Sequence, residues 1–396
     1  MTTFGRSMLR EWPLDPAITY LNHGTVGATP RRVLAAQQAI RDEIERQPAQ
    51  YLLRELAAIA VGVPRAEPPR LRVAAELVAT FLGARGADLV FVDNTTSGAN
   101  AVLQSLALEP GDEILMPDLA YGGIVNAALY HARRSGAVVR RVEMPEASRG
   151  PAAFVEAIAA ALAPRTRLLI VDHITSEGAL VLPLREIAAR CHARGVAVLA
   201  DGAHAPGAIP VDLPALGVDW YVGNLHKWAW VPRSSGILWA AQERQAGLHP
   251  TVVSWGLDQG MTTEFDWMGT RDPSPHLAAP AALAFMGELG VAAVQSYNHD
   301  LAWNGARALA QLWDVRFDTP ETMIGTMATV ALPAALGSTP DEAARLRDAL
   351  LFEDHIEVQL HAWKGRLWTR ISAQIYNDLN DIQRLGEAVR DRATKR

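Results

Sequence analysis

The chain has 396 residues, enough for two or three domains of ordinary size and for a large buried core. Its formal charge of −6, from 37 Lys and Arg against 43 Asp and Glu, argues against nucleic-acid binding, which normally requires a basic face. The single cysteine, Cys191, excludes a disulfide framework and any metal site built from several cysteines, and it fits a reducing compartment.

The N-terminus lacks the apolar segment of a signal peptide. The longest apolar run, Ala278–Val294, is interrupted by Pro280, Gly287, Glu288 and Gly290, which favours a buried helix over a membrane span. We therefore expect a cytoplasmic protein that does not enter a membrane.

In chain order, the first predicted helices cover Pro30–Arg46 and Leu71–Leu82, with a Pro-rich surface loop at Gly62–Pro69 between them. From about Ala87 to Ala240, short apolar runs alternate with helical patterns, which is typical of a mostly parallel sheet covered by helices. Several runs are continuous in Val, Ile and Leu, as in strands buried on both faces. Seven strands are predicted: Asp88–Val92, Glu113–Met116, Val138–Val142, Arg167–Val171, Val196–Ala200, Trp220–Val222 and Ile237–Ala240. The helices predicted between them are Ser97–Leu108, Ile124–Ser135, Pro151–Leu162 and Leu184–Arg194.

The segment Trp255–Pro275 is rich in Gly, Thr, Asp and Pro and has no periodicity, so a long functional loop is predicted there. Beyond Leu277, helices such as Ala278–Gly290 and Asp341–Glu353 are mixed with weaker strands. The expected fold class is α/β, with a second, smaller α+β domain at the C-terminal end.

Residues that follow the predicted strands are candidates for a site, because ligands bind beyond the carboxyl ends of the strands in an open parallel sheet. The segment Asp93–Gly98, with Asn94, Thr95 and Thr96, follows the first strand and opens a helix. Small hydroxyl side chains and free N–H groups at a helix N-terminus favour anions, phosphate above all. Simple N-capping by Asn94 or Thr95 would explain the same residues.

Two further strands end in acidic residues. Asp201-Gly202-Ala203-His204 follows one of them. Burying a carboxylate there would cost free energy unless a cationic partner is present, which favours a site residue; the alternative is that Asp201 only caps the strand end. Asp172-His173 follows the other, and His173 is either a site residue or a structural histidine.

Lysine is rare in this chain: only Lys227, Lys364 and Lys395 occur among the 37 cationic residues. Lys227 comes shortly after the strand Trp220–Val222 and is flanked by Trp228 and Trp230, which we expect to pack in the core or a dimer interface. A phosphate cradle, a buried carboxylate and a lysine among aromatic residues are what pyridoxal 5′-phosphate requires. The lysine amine forms a Schiff base, and the aspartate keeps the pyridine nitrogen protonated. Other phosphate-binding and metal-binding motifs are not supported, since the chain has no Gly-x-Gly-x-x-Gly after a strand, no Gly-Lys-Ser/Thr and no His-Glu-x-x-His.

With these residues in place, the sequence resembles the class V aminotransferase family of fold type I pyridoxal-phosphate enzymes, in particular the isopenicillin N epimerase-like branch. The resemblance runs along the whole chain, and its most specific motifs are Asp201-Gly202-Ala203-His204, Gly223-Asn224-Leu225-His226-Lys227-Trp228 and Gly269-Thr270-Arg271-Asp272. It implies a large cofactor-binding domain over residues 21–275 with a seven-stranded sheet, a small domain over residues 276–396, and residues 1–20 associated with the small domain. It also implies a homodimer with shared active sites.

The family's roles transfer onto matching residues. Lys227 would hold the cofactor, Asp201 would pair with its pyridinium nitrogen, Tyr121 would stack on its ring unless it only packs in the core, and Thr270 would reach the phosphate of the neighbouring subunit. Arg370 would bind the substrate α-carboxylate, a task for its planar fork, unless it forms a domain-interface salt bridge. The implied catalytic residues are Lys227, Asp201, His204 and Tyr121. The other implied cofactor contacts are Asn94, Thr95, Thr96, His226 and Thr270, and the substrate contacts are Arg370, Asn22, His23, Arg271 and His173; no residue is assigned to a metal.

Two departures from the family pattern bear on the reaction. Cysteine desulfurases of the family need a nucleophilic cysteine before the substrate arginine, and Leu360–Trp368 contains none, which excludes persulfide-forming chemistry. Arg271 follows Thr270 where desulfurase-like members carry neutral residues, and we hypothesise that it recognises a second, distal carboxylate of the substrate.

The resemblance implies an enzyme that acts on a small amino acid by removing its Cα proton, with Lys227 as the base. Reprotonation from the opposite face would make it an epimerase or racemase and would need a second acid, for which His23, His173 and Tyr121 are candidates. The first alternative is a C–S β-lyase acting on a cysteine derivative. An aminotransferase is a further alternative and ranks below the lyase. A catalytically silent cofactor-binding protein is the non-enzyme alternative.

Overall fold

The centre of the protein is a seven-stranded sheet. The structure, a computed structural model, describes residues 3–56 and 67–394, so the predicted loop at Gly62–Pro69 lies mostly outside the described residues. Its strands are β2 Leu89–Val92, β3 Glu113–Pro117, β4 Val138–Val142, β5 Thr166–Asp172, β6 Ala197–Gly202, β7 Trp220–Asn224 and β8 Gly236–Ala240; a short strand outside this sheet, β1 Thr19–Tyr20, precedes them in the chain. They run in the order β2-β8-β7-β6-β5-β3-β4, and all neighbours pair in parallel except β8, which is antiparallel to both β2 and β7. The predicted α/β class with a mostly parallel sheet is confirmed.

Helices cover both faces of this sheet. Along β5, Leu169 and Val171 pack with one face while Leu168 and Ile170 pack with the other, because successive side chains of a strand point to opposite sides. The helices of this part of the chain are α1 His23–Val26, α2 Arg31–Arg46, α3 Arg70–Phe81, α4 Thr95–Ser105, α5 Gly122–Ser135, α6 Pro151–Ala161, α7 Leu184–His192 and α8 Leu213–Leu216. Helices α3, α6 and α7 cover the first face of the sheet, and α4 and α5 cover the second.

The segment after the sheet is more ordered than its composition predicts. Within the predicted loop Trp255–Pro275 the chain forms the short helices α9 Met261–Asp266 and α10 Ser274–Leu277, which are too brief to leave a helical periodicity in the sequence. The helices α11 Ala279–Leu289 and α12 Val291–Trp313 follow. In the described part of the chain no helix on its own is long and apolar enough to cross a membrane. The segments Ser274–Leu289 and Val291–Trp313 reach that length and hydropathy only when they are taken together, and the angle between them is 76°.

The C-terminal part is built on a three-stranded antiparallel sheet in the order β11-β12-β9. Its elements are β9 Met327–Ala331, α13 Pro340–Phe352, β10 Ile356–Glu357, β11 Gln359–Trp363, β12 Arg366–Ser372 and α14 Leu379–Thr394. One face of β12 packs through Leu367 and Ile371 into a separate core with α12, α13 and α14. The strand β1 pairs in parallel with β10, which joins the N-terminal segment to this part.

Candidate active site

A pocket of about 630 Å³ lies at the carboxyl edge of the large sheet, where the ends of β5, β6 and β7 meet the N-terminus of α4. Parallel strands place such a pocket here because their carboxyl ends meet at one edge. The side chains that line it include most of the predicted site residues together with several that were not predicted. The lining consists of Thr25, Asn94, Thr95, Thr96, Ser97, Asn100, Tyr121, Asp172, Ile174, Ser176, Asp201, Ala203, His204, Asn224, His226, Lys227 and Thr251.

One wall of the pocket is the N-terminus of α4. The Asn94 side chain caps this helix by accepting a hydrogen bond of 2.9 Å from the Ser97 N–H. The Thr95 N–H donates to the Asn224 side chain at 3.0 Å, which ties the helix to the end of β7. Capping and anion binding are therefore compatible here, since the cap fixes a helix end whose partial positive charge and hydroxyl groups face the pocket.

The amine of Lys227 is buried in the pocket beside His204. Its Nζ donates to His204 Nε2 at 3.2 Å. Burial, assisted by the charge of Arg370, lowers the pKa of Lys227 to about 7, although Asp201 and Asp172 oppose the shift. His204 is 2% exposed, and burial holds its pKa well below the usual value. A neutral lysine amine is therefore accessible near neutral pH, as a nucleophile or base requires.

Two buried carboxylates lie side by side at this edge. Asp172 and Asp201 are register partners on β5 and β6, and both are nearly inaccessible to solvent. Burial raises the pKa of both groups, and the negative charge of Asp201 raises the pKa of Asp172 further. The Ala203 N–H donates to Asp201 Oδ1 at 2.9 Å and offsets part of the cost. A carboxylate in this position gains most from a cationic ligand.

Arg370 reaches the same region from β12 and is 3% exposed. Its guanidinium donates to the Ser176 carbonyl at 2.5 Å and to Thr25 Oγ1 at 2.8 Å. The Thr25 hydroxyl donates in turn to Asn22 Oδ1, and Asn22 Nδ2 donates to Glu357 at 2.7 Å. Burial lowers the pKa of Arg370 to about 10, and its Nε has no hydrogen-bond partner among the described residues. None of the ion pairs found among the described residues includes Arg370, but the Glu177 carboxylate acts on it electrostatically and is the partner to which the salt-bridge alternative would apply.

Tyr121 and His226 complete the pocket walls. Tyr121 begins α5 and leaves 48% of its surface exposed, so it is not core packing. His226 Nδ1 lies 2.8 Å from the Ser235 carbonyl. Because a carbonyl only accepts, Nδ1 bears the hydrogen, and burial lowers the pKa of the ring to about 4. A contact from Nε2 to an anion would therefore need an added proton, which the anion itself would favour.

His23 and His173 are buried beside the pocket but are not among its lining residues. His23 bonds the Lys227 carbonyl at 3.0 Å and the Tyr376 hydroxyl at 2.8 Å, so it supports the backbone of Lys227. His173 bonds the Tyr221 hydroxyl at 3.0 Å. Both rings are held neutral, since burial lowers each pKa to about 4.

Thr270 and Arg271 lie outside the residues that line the pocket. Thr270 is exposed, and Arg271 donates to the Phe265 carbonyl at 3.2 Å. The guanidinium of Arg271 is 4.0 Å from Asp93, immediately before the helix α4, and Asp266 also acts on it electrostatically. Arg271 thus already has carboxylate neighbours; its proposed role toward a distal substrate carboxylate stays a prediction.

Comparison with known proteins settles the family. The sequence model of the family described as Aminotransferase class-V matches residues 69–385. The chain belongs to the class V aminotransferase family. It is 34% identical to the isopenicillin N epimerase of Amycolatopsis lactamdurans, with 96% of each chain covered, and 30% identical to a probable chloroplastic L-cysteine desulfhydrase of Arabidopsis thaliana, with 95% and 83% covered. The solved structure of the cystine C–S lyase C-DES with its product cysteine persulfide superposes with a TM-score of 0.78 at 25% identity, covering 94% of this chain and 97% of the other.

The protein is therefore a pyridoxal-phosphate-dependent enzyme of fold type I, as the sequence predicted. The pocket fits that cofactor: it combines a helix N-terminus, a buried amine with a lowered pKa and the buried carboxylate of Asp201, which forms no ion pair with any described residue. His204 Nδ1 is also buried without a hydrogen-bond partner among the described residues, as expected where a ligand is to supply one. When bound, the cofactor supplies an aldehyde for an amine and a ring that accepts electrons from the substrate Cα.

Seven polar residues that line the pocket were not predicted as site residues: Thr25, Ser97, Asn100, Asp172, Ser176, Asn224 and Thr251. Asp172 and Asn224 end strands, so they could have been found by the strand-end argument, which looks for polar residues at the carboxyl ends of the predicted strands. That argument selected His173, the residue after Asp172, instead. Ser176 and Thr25 hold Arg370 from segments 194 and 345 residues away in the chain. No local sequence signal marks such a long-range partner.

Replacing Thr25 with valine should raise KM for the amino-acid substrate about tenfold, with a smaller change in kcat. The substitution removes a hydroxyl that accepts from the Arg370 guanidinium, and hydrogen bonds to charged groups contribute about 1.5–3 kcal/mol. Thr29→Val is the matched control, because the Thr29 hydroxyl donates to the Val231 carbonyl instead. Steady-state kinetics of both variants test this; equal KM values would show that Thr25 does not position Arg370.

Proposed function

We propose that this enzyme is an amino-acid epimerase or racemase of the isopenicillin N epimerase-like type. The observation that supports it most is the 34% identity to an isopenicillin N epimerase, with 96% of each chain covered. The buried Lys227 amine, 3.2 Å from His204 Nε2, supplies the base that this reaction needs. In this proposal Arg370 would bind the α-carboxylate, and the Lys227 amine would remove the Cα proton. Asp201 would pair with the cofactor's ring nitrogen, while the α4 N-terminus and His226 would hold its phosphate.

Inversion needs a second proton donor on the opposite face of the substrate. Of the three candidates from the sequence, His23 and His173 are occupied by buried hydrogen bonds, whereas Tyr121 lines the pocket with about half of its surface free. We therefore assign the second proton transfer to the Tyr121 hydroxyl.

The test is incubation of the holoenzyme in heavy water with a panel of L- and D-amino acids, followed by chiral separation and mass spectrometry. An epimerase incorporates deuterium at Cα and accumulates the opposite configuration from either enantiomer. Tyr121→Phe should retain exchange in the starting enantiomer and lose inversion. If no amino acid exchanges its Cα proton, the catalytically silent alternative replaces this proposal.

The second candidate is a C–S β-lyase, favoured by the similarity to an L-cysteine desulfhydrase and a cystine C–S lyase. This reaction uses the same removal of the Cα proton by Lys227, followed by loss of the β-substituent, and it needs no second acid on the other face. In the same experiment, pyruvate, ammonia and a released thiol from a cysteine derivative would identify the lyase. An aminotransferase would instead leave a keto acid together with the aminated cofactor.

We further propose that the enzyme is a cytoplasmic homodimer with shared active sites. An apolar surface adjoins the pocket at Thr251: Val252, Val253, Trp255 and Leu257 are 55, 50, 74 and 47% exposed. Contiguous apolar exposure of this kind marks an interaction surface. In the dimer a second copy covers it, and the exposed Thr270 reaches the neighbouring phosphate. The buried, unpaired thiol of Cys191 suits a reducing compartment.

Trp255→Glu should convert the dimer to a monomer at micromolar concentration, because it places a charge in a surface that would lose water on association. Phe352→Glu is the control, since Phe352 is equally exposed, at 72%, but lies at the end of α13. Analytical ultracentrifugation of the two variants distinguishes them. A Trp255→Glu protein that stays dimeric would place the interface elsewhere.

A further inference from the structure

A second cavity, of about 320 Å³, lies between the small sheet and the loops of the large one. Its size is within the range of about 300–1,000 Å³ that is common for small-molecule sites. Apolar and aromatic side chains from both parts of the protein line it, among them Leu119, Met144, Ala147, Phe317, Trp363 and Trp368. Nothing in the reaction as proposed so far uses this cavity.

The cavity adjoins Arg370. Side chains alternate along a strand, so Arg366, Trp368 and Arg370 share one face of β12, at steps of about 7 Å. Trp368 lines the cavity and Arg370 is the next residue along that face toward the catalytic pocket. Ser176, which accepts from Arg370, lines the catalytic pocket, and Glu177 after it lines the second cavity. The two cavities therefore lie on either side of the Ser176–Glu177 segment, with Arg370 at their junction.

The cations around the second cavity are already engaged. Lys364 forms an ion pair with Glu143 at 3.3 Å, and Arg316 pairs with Asp318. Arg366 donates to a backbone carbonyl at 3.1 Å. The lining also contains three carboxylates, Glu146, Glu177 and Asp318, so the cavity has no surplus of cations for an anionic ligand. An uncharged occupant fits it better than an anion.

Its aromatic wall is preformed. The rings of Trp363 and Trp368 meet edge to face with centroids 5.6 Å apart, and the Trp368 indole donates to the Trp363 carbonyl at 3.1 Å. The indole N–H of Trp368 therefore needs no hydrogen bond from a ligand. Lys364 covers one face of Trp363, and the remaining ring surfaces are apolar contact area. Opposite Trp368 on β11 is His361, whose Nδ1 is buried without a hydrogen-bond partner among the described residues.

We propose that this cavity is the subsite for the substrate side chain, and that the substrate is an α-amino acid with a bulky, uncharged and largely apolar side chain. Arg271 lines neither cavity, so this proposal replaces the hypothesis that it binds a distal substrate carboxylate. The inference rests on the proposed function in one respect, namely that Arg370 holds the α-carboxylate. A side chain that starts beside Arg370 passes His361, where a polar group near its base can satisfy Nδ1, and ends against the outer surfaces of the two tryptophans. A side chain as short as that of cysteine leaves the cavity unfilled.

The test compares S-benzyl-L-cysteine with L-alanine on the holoenzyme. Dissociation constants come from the change in the cofactor's visible absorbance, and Cα deuterium exchange and pyruvate formation are followed in parallel. Ala147→Trp fills the cavity from the loop before α6, and Trp368→Ala removes its wall. Ala152→Trp, an exposed position on α6, is the matched control.

The wild type should bind S-benzyl-L-cysteine at least about tenfold more tightly than L-alanine, since burying a phenyl ring contributes more than this factor. Ala147→Trp should remove that preference and leave L-alanine binding within about twofold, while Ala152→Trp should change neither. Trp368→Ala should reduce the preference as well, so a poorly folded Ala147→Trp protein would not prevent a decision.

Equal affinity of the wild type for the two amino acids, or a preference that survives both cavity substitutions, would overturn the inference. Tight binding of S-benzyl-L-cysteine that both substitutions abolish, without Cα exchange or pyruvate from any amino acid, would support the subsite and reject the proposed function. The two proposals therefore fail in distinguishable ways.

Discussion

Lys227→Ala should abolish turnover and covalent attachment of the cofactor together. The variant loses both the amine that would bond the cofactor and the base that would remove the Cα proton, and general acid–base catalysis alone contributes about 10²–10⁴-fold. Borohydride reduction of the wild-type holoenzyme should fix the cofactor to the peptide that contains Lys227, as read by mass spectrometry. The Lys227→Ala holoenzyme should yield no labelled peptide.

The rarity of lysine provides a matched control for this experiment. Lys364 lies in the turn between β11 and β12, where its ammonium pairs with Glu143 and stacks over Trp363 at 4.7 Å. Lys364→Ala should retain full labelling at Lys227. Label on a peptide without Lys227, or an active Lys227→Ala enzyme, would contradict the assignment of the amine.

The fold was largely predictable because buried strands and amphipathic helices leave strong local patterns. The run at β5 is apolar on both faces, as its burial requires. The helix predicted over Ala278–Gly290 is found as α11, which ends where Gly290 adopts a positive φ of 84°. The short helices α9 and α10, of six and four residues, were not predicted, since so few residues do not show a period.

For the pocket, the strand-end argument located Asp201, Lys227 and the α4 N-terminus, which the structure brings together. Of the adjacent residues Asp172 and His173, the strand-end argument selected His173, although Asp172 is the one that lines the pocket, and the reason is physical. Adjacent residues of a strand point to opposite faces, so Asp172 lines the pocket while His173 bonds Tyr221 beside it. Adding the alternation rule to the strand-end rule would have selected the aspartate.

Long-range partners were beyond the sequence. The chain of bonds from Asn22 through Thr25 to Arg370 joins the N-terminal segment to β12. Asn22, predicted as a substrate contact, is bonded to Thr25 and Glu357 and is not among the residues that line the pocket, so its role toward the substrate stays a prediction. Such arrangements depend on how three separated segments pack, which no single segment encodes.

Asp201→Asn should lower Cα exchange by about 10²–10³-fold, the usual cost of removing one preorganised electrostatic group. Asparagine preserves the size of the side chain and an oxygen that can accept from the Ala203 N–H, but it removes the negative charge. A ring nitrogen without that charge accepts electrons from Cα less well. Exchange measured in heavy water at saturating cofactor, with the cofactor dissociation constant determined separately, isolates the effect.

Asp172→Asn is the matched control, because it makes the same change one strand away in the same register. The Asp172 carboxyl lies against the backbone N–H groups of Ser176 and Tyr121, and its pKa is raised by burial and by Asp201. Neutralising it removes a repulsion on Asp201 and should cost no more than about tenfold in exchange, as expected for one buried hydrogen-bond partner. Equal losses in the two variants would mean that the carboxylates act as one unit, and a larger loss for Asp172→Asn would transfer the ring-nitrogen role to Asp172.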